Sequence, residues 1–231
     1  MGVSVMSSGS AGLPADISAG GSAVRSPKGL ANAVTVLLAL VIAVDVFAVY
    51  AGLNIRALLD NLQSTPRHEL AQGDDLYGLA GTLQLVCTLA TAPVFIVWFY
   101  RVRVNAEGFA RDVCTMNRAW AVGAWFVPIG NLWLPYRFAK EVWDASAQAT
   151  ADGAWREVSR RRVSAWWTTW IAALVVSRAG AALYRNPETP HALQQATSVV
   201  MLSDLLDIAA AVLGILFVRK LSRMQQVSPG S

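Results

Sequence analysis

Four stretches of the chain are apolar almost without interruption: Leu30 to Leu53, Leu79 to Tyr100, Ser164 to Leu183 and Ser198 to Val218. Each reaches the roughly 20 residues that a helix needs to cross a hydrocarbon core about 30 Å thick. A helix satisfies its own backbone groups in lipid, so runs of this length predict spanning helices and not strands. The pattern predicts an all-α, polytopic fold with four transmembrane helices. One membrane domain then covers residues 30–222, preceded by a tail over 1–29 and followed by a short tail over 223–231.

Between the second and third stretches lies a segment of a different kind, Trp120 to Tyr136, WAVGAWFVPIGNLWLPY. It is apolar, yet it carries Pro128, Gly130, Asn131 and Pro135. Proline removes a backbone donor and disfavours helical geometry in the residue before it, here Val127 and Leu134. A break on either side of Gly130-Asn131 predicts an interfacial or re-entrant element, not a fifth span. After it, Phe138, Val142 and Ala145 recur at helical spacing opposite Lys140, Glu141 and Asp144, which predicts an amphipathic cytoplasmic helix lying on the inner surface.

Composition supports the membrane reading. Of 231 residues 55% are apolar and 15% charged, against roughly 25% charged in soluble domains, and mean hydropathy is +0.42. Residues 1–29 are rich in Gly, Ser and Ala and hold no aromatic residue, too little apolar surface to repay ordering. The first apolar run is long enough to span, so it is expected to be a retained anchor and not a cleaved leader. Gly2 suggests an acyl acceptor, but Met6 stands where that motif needs Ser or Thr.

Basic residues are divided very unequally. If the four stretches cross, fifteen Lys and Arg fall on one side and three on the other, with Arg178 inside a span. The positive-inside rule puts both termini and the connector Arg101 to Val163 in the cytoplasm. A fifth span at Trp120 to Tyr136 would send Arg137, Lys140, Arg156 and the triplet Arg160, Arg161, Arg162 outside. The net charge of +4 and pI near 9.4 follow from this asymmetry and do not point to nucleic acid. All nine tryptophans lie between Trp98 and Trp170. Trp favours the membrane interface, so the connector is expected to hug the inner leaflet, with the arginine triplet as a lipid contact or a plain topology signal.

The connector carries a long motif. The chain reads WFYRVRVNAEGF and then RAWAVGAWFVPIGNLWLPYRFAKEVWDAS. This resembles a domain-of-unknown-function family of actinobacterial multi-helix membrane proteins, marked by Trp-Phe-x-Pro-x-x-Asn-Leu-x-x-Pro-Tyr after a basic R-x-N stretch. The matching positions are Arg101, Arg103, Asn105, Trp125, Phe126, Pro128, Asn131, Leu132, Pro135, Tyr136 and Trp143, and the resemblance covers about residues 30 to 222. It implies a bacterial membrane protein and brings no activity, ligand or cofactor. Asn131 is expected either to satisfy backbone groups freed at the turn or, with Tyr136, to line a polar pocket like those of broken helices.

Four ionisable groups sit inside the predicted spans: Asp45, Arg178, Asp204 and Asp207. A central charge costs about 2.5 to 3.5 kcal/mol on the insertion scale, and each large aliphatic or Phe returns about 0.3 to 0.6. Two aspartates therefore nearly cancel the return of the fourth span. At a rise of about 1.5 Å per residue all four groups lie about 8 to 14 Å below the outer ends of their helices. Asp204 and Asp207 share a face, and Arg178 on the neighbouring span is expected to pair with one of them, with at least one aspartate protonated. The set reads either as a buried ion pair fixing helix register or as a proton- or cation-linked site.

Catalytic signatures are missing. The sequence shows no Ser-His-Asp set, no phosphate-binding glycine loop and no metal-ligand spacing, and His68, His191, Cys87 and Cys114 are isolated. We therefore expect no enzyme and no cofactor. The leading expectation is an adaptor that binds lipids or another membrane protein through residues 101–162. The alternative is a small homo-oligomeric transporter or channel using Asp45, Arg178, Asp204 and Asp207.

Overall fold

A computed structural model describes residues 26–148, 157–185 and 189–226. Every element among them is helical: α1 (Lys28–Asp60), α2 (Arg67–Phe109), α3 (Trp120–Gly123), a 3-10 turn (Gly130–Leu132), α4 (Leu134–Ala147), α5 (Arg161–Tyr184) and α6 (Pro190–Met224). Helices α1, α2 and α6 are long and apolar enough to cross a membrane. The 43 residues of α2 extend about 65 Å at 1.5 Å per residue, well beyond a hydrocarbon core. Helix α5, 24 residues long, spends its first turns on Trp166, Trp167, Thr168, Thr169 and Trp170, which lower its apolar content.

The predicted apolar stretches each fall within one of the four long helices, which run past them. Prolines and caps set several ends. Pro66 precedes α2 in extended geometry. Thr189 caps α6, its hydroxyl accepting from the Ala192 amide at 3.1 Å, with Pro190 at the first helical position.

Packing runs α2, α1, α6, α5 in space, with α1 antiparallel to α6. At one end, called here the far end, Gln194 of α6 donates to Asp60 of α1 at 2.8 Å, and Arg56 donates to Ser198. Gly180 lets α5 close on α6, since a Cβ there would stand 2.9 Å from Val200 Cγ2 and 3.3 Å from its backbone nitrogen. At the opposite, near end, α3, the 3-10 turn and α4 fill the space between α2 and α5. Segment 120–136 is thus two short helical pieces and the start of α4, as the prolines dictate. A side chain at Gly130 would meet Leu134 and Val127 at 2.6 and 2.8 Å, so the turn depends on its absence.

The near end holds the main core, and several of the tryptophans expected at the membrane interface pack inside it. Trp98, Trp143, Trp166 and Trp167 are buried. Trp166 stacks on Phe217 at 4.8 Å and meets Phe95 at 5.8 Å. Two of their indole N–H groups find partners inside the protein, Trp98 donating to Ser222 Oγ at 3.1 Å and Trp167 to the Leu132 carbonyl at 3.2 Å, while that of Trp143 is buried without one. Helix α4 also departs from a surface-lying helix. Its apolar face, Phe138, Val142 and Ala145, is fully buried, because α2 supplies Phe99 and Val102 to cover it. Trp155 and Arg156 lie outside the described residues, as do the tails 1–25 and 227–231.

Candidate functional site

Two polar sites stand out, one at each end of the bundle. The near-end site is built on Arg103, whose side chain is 0% exposed. It reaches Glu107 one turn on at 3.3 Å and Glu141 of α4 at 3.1 Å, and donates to the Met116 carbonyl. Its guanidinium lies 4.6 Å over the Phe138 ring. Arg118 pairs with the other oxygen of Glu107, so two cations and two carboxylates balance. Beside them Asn105 donates to Gln225 at 3.1 Å, and Gln225 in turn donates to the Val102 carbonyl and to Ser146 Oγ, both at 2.8 Å. This knot fastens α2, α4 and the end of α6 together. It leaves no acid or base free for chemistry.

Cys114 borders that knot. Burial pushes its thiol up, against the opposing pull of the Arg103 guanidinium. In a Cys87→Ser background we expect Cys114 to be alkylated more slowly at neutral pH than an exposed cysteine. Its rate should keep rising above the pH at which an ordinary thiol levels off. A stopped time course of maleimide labelling checks this, and a rate equal to that of a solvent-exposed control would contradict the burial.

The motif residues divide in the structure. Arg103, Asn105, Pro135 and Trp143 are buried, Trp125, Asn131 and Tyr136 are half-buried, and Phe126 and Pro128 are exposed. Arg101 is half-buried and makes no ion pair among the described residues. Asn131 does not cap the turn through its side-chain oxygen, for Oδ1 is buried without a hydrogen-bond partner. Tyr136 donates to or accepts from Ser164 Oγ at 2.9 Å and stacks on Trp167. Arg160 makes a two-point ion pair with Asp144, at 2.8 and 2.9 Å, while Arg161 and Arg162 are exposed.

The far-end site gathers the carboxylates of the apolar helices α1 and α6. Asp45 of α1 and Asp204 of α6 are each 4% exposed. The amide nitrogen of Gln84 on α2 donates to both, at 3.0 Å to Asp45 Oδ1 and 2.9 Å to Asp204 Oδ1. The second oxygen of each aspartate is buried without a partner. Asp207, one turn along α6, is close enough for its charge to act on both. The expected pairing with Arg178 does not form: Arg178 is exposed on α5 and makes no ion pair among the described residues. Gly180 presses the facing side of α5 onto α6, and Arg178 lies off that side.

Asp204 and Gln84 also line a cavity of about 350 Å³ between α2 and α5. Its walls include Ala48, Ala80 and Val200, with Arg185 at its rim. Tyr77 of α2 and Tyr184 of α5 meet across its far end with ring centroids 6.0 Å apart, and the Tyr77 hydroxyl is buried without a partner. The result is a partly open chamber with the tyrosine pair at its far end and Asp204 in its wall. Sequence reading missed Gln84, Tyr77 and Tyr184, although an amide in the middle of an apolar run was a visible signal.

Residues 61–223 match the family described as domain of unknown function DUF4328. The chain belongs to this family. The DUF4328 match begins after α1, so Asp45 lies before the matched region, whereas Gln84, Asp204 and the whole Arg103 knot lie within it. No curated protein and no solved structure matches the chain.

Proposed function

We propose that this DUF4328 protein crosses the bacterial plasma membrane four times and holds one positive charge, a proton or a cation, between Asp45 and Asp204. In this reading it serves as a small transporter or channel, acting as a homo-oligomer. Both termini and the connector 101–163 are cytoplasmic, which places the far end and its chamber in the outer half of the bilayer. The observation that carries the reading is the pair of buried carboxylates joined through Gln84, each with an oxygen that nothing in the protein satisfies. Two such groups in a dry setting call for a proton or a cation between them. Helix α5, paired along its length with α6, is the fourth crossing.

Proteoliposomes test it. Wild-type protein should support flux driven by a pH gradient or a monovalent cation gradient, and Asp45→Asn with Asp204→Asn should reduce that flux at least tenfold while the protein still elutes as a folded species. Equal flux from the double variant, or none from wild type, overturns the reading. Topology is checked in the same material after Cys87→Ser and Cys114→Ser. A cysteine at His191 should label from outside in intact cells, and one at Asp112 only after permeabilisation.

A second reading has its own observation. Phe126, Ile129 and Trp133 stand 72%, 70% and 52% exposed on the connector, an apolar rim on a chain that also exposes the basic Arg161 and Arg162. Such a rim suits membrane lipid or another membrane protein, which would make the chain an adaptor. A photo-crosslinker at Ile129 in native membranes separates the two: a discrete heterologous protein adduct favours the adaptor, and a self-adduct or lipid alone favours the transporter.

A further inference from the structure

We infer that the chamber between α2 and α5 binds a monovalent organic ammonium, its charged nitrogen against Asp204 and its apolar body against Ala48, Ala80 and Val200. This rests on the reading that Asp45 and Asp204 hold a positive charge, and it names the chemical class of that charge. Volume is the first argument. A proton or a bare monovalent ion needs almost no room, whereas about 350 Å³ corresponds to on the order of ten non-hydrogen atoms at roughly 30 Å³ each, the share of a water molecule. Polarity is the second. Ala48, Ala80, Ala181 and Val200 give the chamber an apolar wall, and Gln84 and Asp204, joined by their hydrogen bond, form a polar and acidic spot in it, as suits a molecule with one charged end.

The anionic end is already positioned. Gln84 fixes one oxygen of Asp204 by its hydrogen bond, and the other, buried and unpartnered, faces the need for a donor. Aromatic rings complete the setting. Tyr77 and Tyr184 both line the chamber, and ring faces attract alkylated ammonium groups, which give up little hydration on leaving water. Among the described residues no three His, Cys, Asp or Glu side chains converge to hold a metal ion, so an inorganic divalent cation finds no ligand set. With Arg185 also among the lining residues, the chamber's single acid, Asp204, offers charge compensation for one ammonium and not for a polyamine.

Benzyltrimethylammonium, with a fixed charge and a body of the right size, is the probe. Full-length protein in nanodiscs of zwitterionic lipid is titrated with it by calorimetry. Its uncharged carbon isostere and a bis-quaternary alkane dication are the comparisons. Saturable binding is expected for the monocation, with at least tenfold weaker binding of both comparisons. Asp204→Asn should weaken the monocation at least tenfold, and Tyr77→Leu by about three- to thirtyfold. No saturable binding, equal binding of the isostere, or unchanged binding by Asp204→Asn overturns the inference. Where Asp204→Asn does not fold, the isostere comparison and Tyr77→Leu decide. Carboxylate-dependent proton or sodium flux without ammonium binding removes this inference alone; loss of both removes the proposed function with it.

Discussion

Arg103→Met is expected to cost about 3 to 5 kcal/mol, a large part of the roughly 5 to 15 kcal/mol that holds a domain folded. Met fills much of the volume but leaves Glu107 and Glu141 facing each other across the place of the guanidinium, with only Arg118 near and that on one side. It also strands the Met116 carbonyl that Arg103 supplies with a donor. The penalty is therefore the cost of two half-buried acids that have lost their shared cation, Glu107 keeping Arg118 and Glu141 only the Thr115 hydroxyl and the Met116 amide. Heating detergent-solubilised protein and following the monodisperse peak by fluorescence reads it. Arg101→Met, two positions away and outside any ion pair among the described residues, should shift the profile by less than about 1 kcal/mol. Adding Glu141→Gln to Arg103→Met should recover part of the loss, since it removes one unpaired charge. A wild-type profile for Arg103→Met would show that the knot contributes nothing.

The same residue shows where the sequence was legible. Apolar runs of spanning length gave the four long helices, because a period of about 20 residues is a property of the chain alone. Pro128 and Pro135 gave the broken segment for the same reason, since proline acts on its own backbone. Arg103 and Asn105 stood out as motif positions, but their burial depends on Glu141, Met116 and Gln225, which are distant in sequence. Partner identity of that kind is set by packing. Asp45, Asp204 and Asp207 stand out in the sequence as charges in apolar helices, and charge balance there points to Arg178 as the partner of Asp204 or Asp207. In the structure Asp45 and Asp204 share an amide instead, Gln84, reached through the contacts of α1 with α2 and α6. Likewise the resemblance drawn over residues 30 to 222 holds over 61–223, leaving α1 as the part that lies outside the family match.

Tryptophan gave the most instructive disagreement, and it can be decided by two substitutions. Clustering of Trp near the ends of apolar runs suggests anchors at the lipid interface, yet the ring geometry assigns most of them to a core. Trp166→Ala is expected to cost about 3 to 5 kcal/mol, the range for emptying a large aromatic site. Trp166 packs parallel to Phe217, tilted by 9°, touches Phe95 and Trp167, and sits over Gly214. Its removal therefore opens a hole where α2, α5 and α6 meet. Trp133 is 52% exposed, and Trp133→Ala should change the unfolding temperature in detergent little, by about 0.5 kcal/mol or less. Detergent removes the ordered interface but keeps the core, so it separates the two roles. Trp166→Ala should be as damaging in micelles as in lipid nanodiscs, while any effect of Trp133→Ala should be confined to nanodiscs. If instead both variants were harmless in micelles and equally damaging in nanodiscs, the tryptophans would be acting as an interfacial belt. The near end of the bundle would then owe its order to the bilayer and not to its own packing.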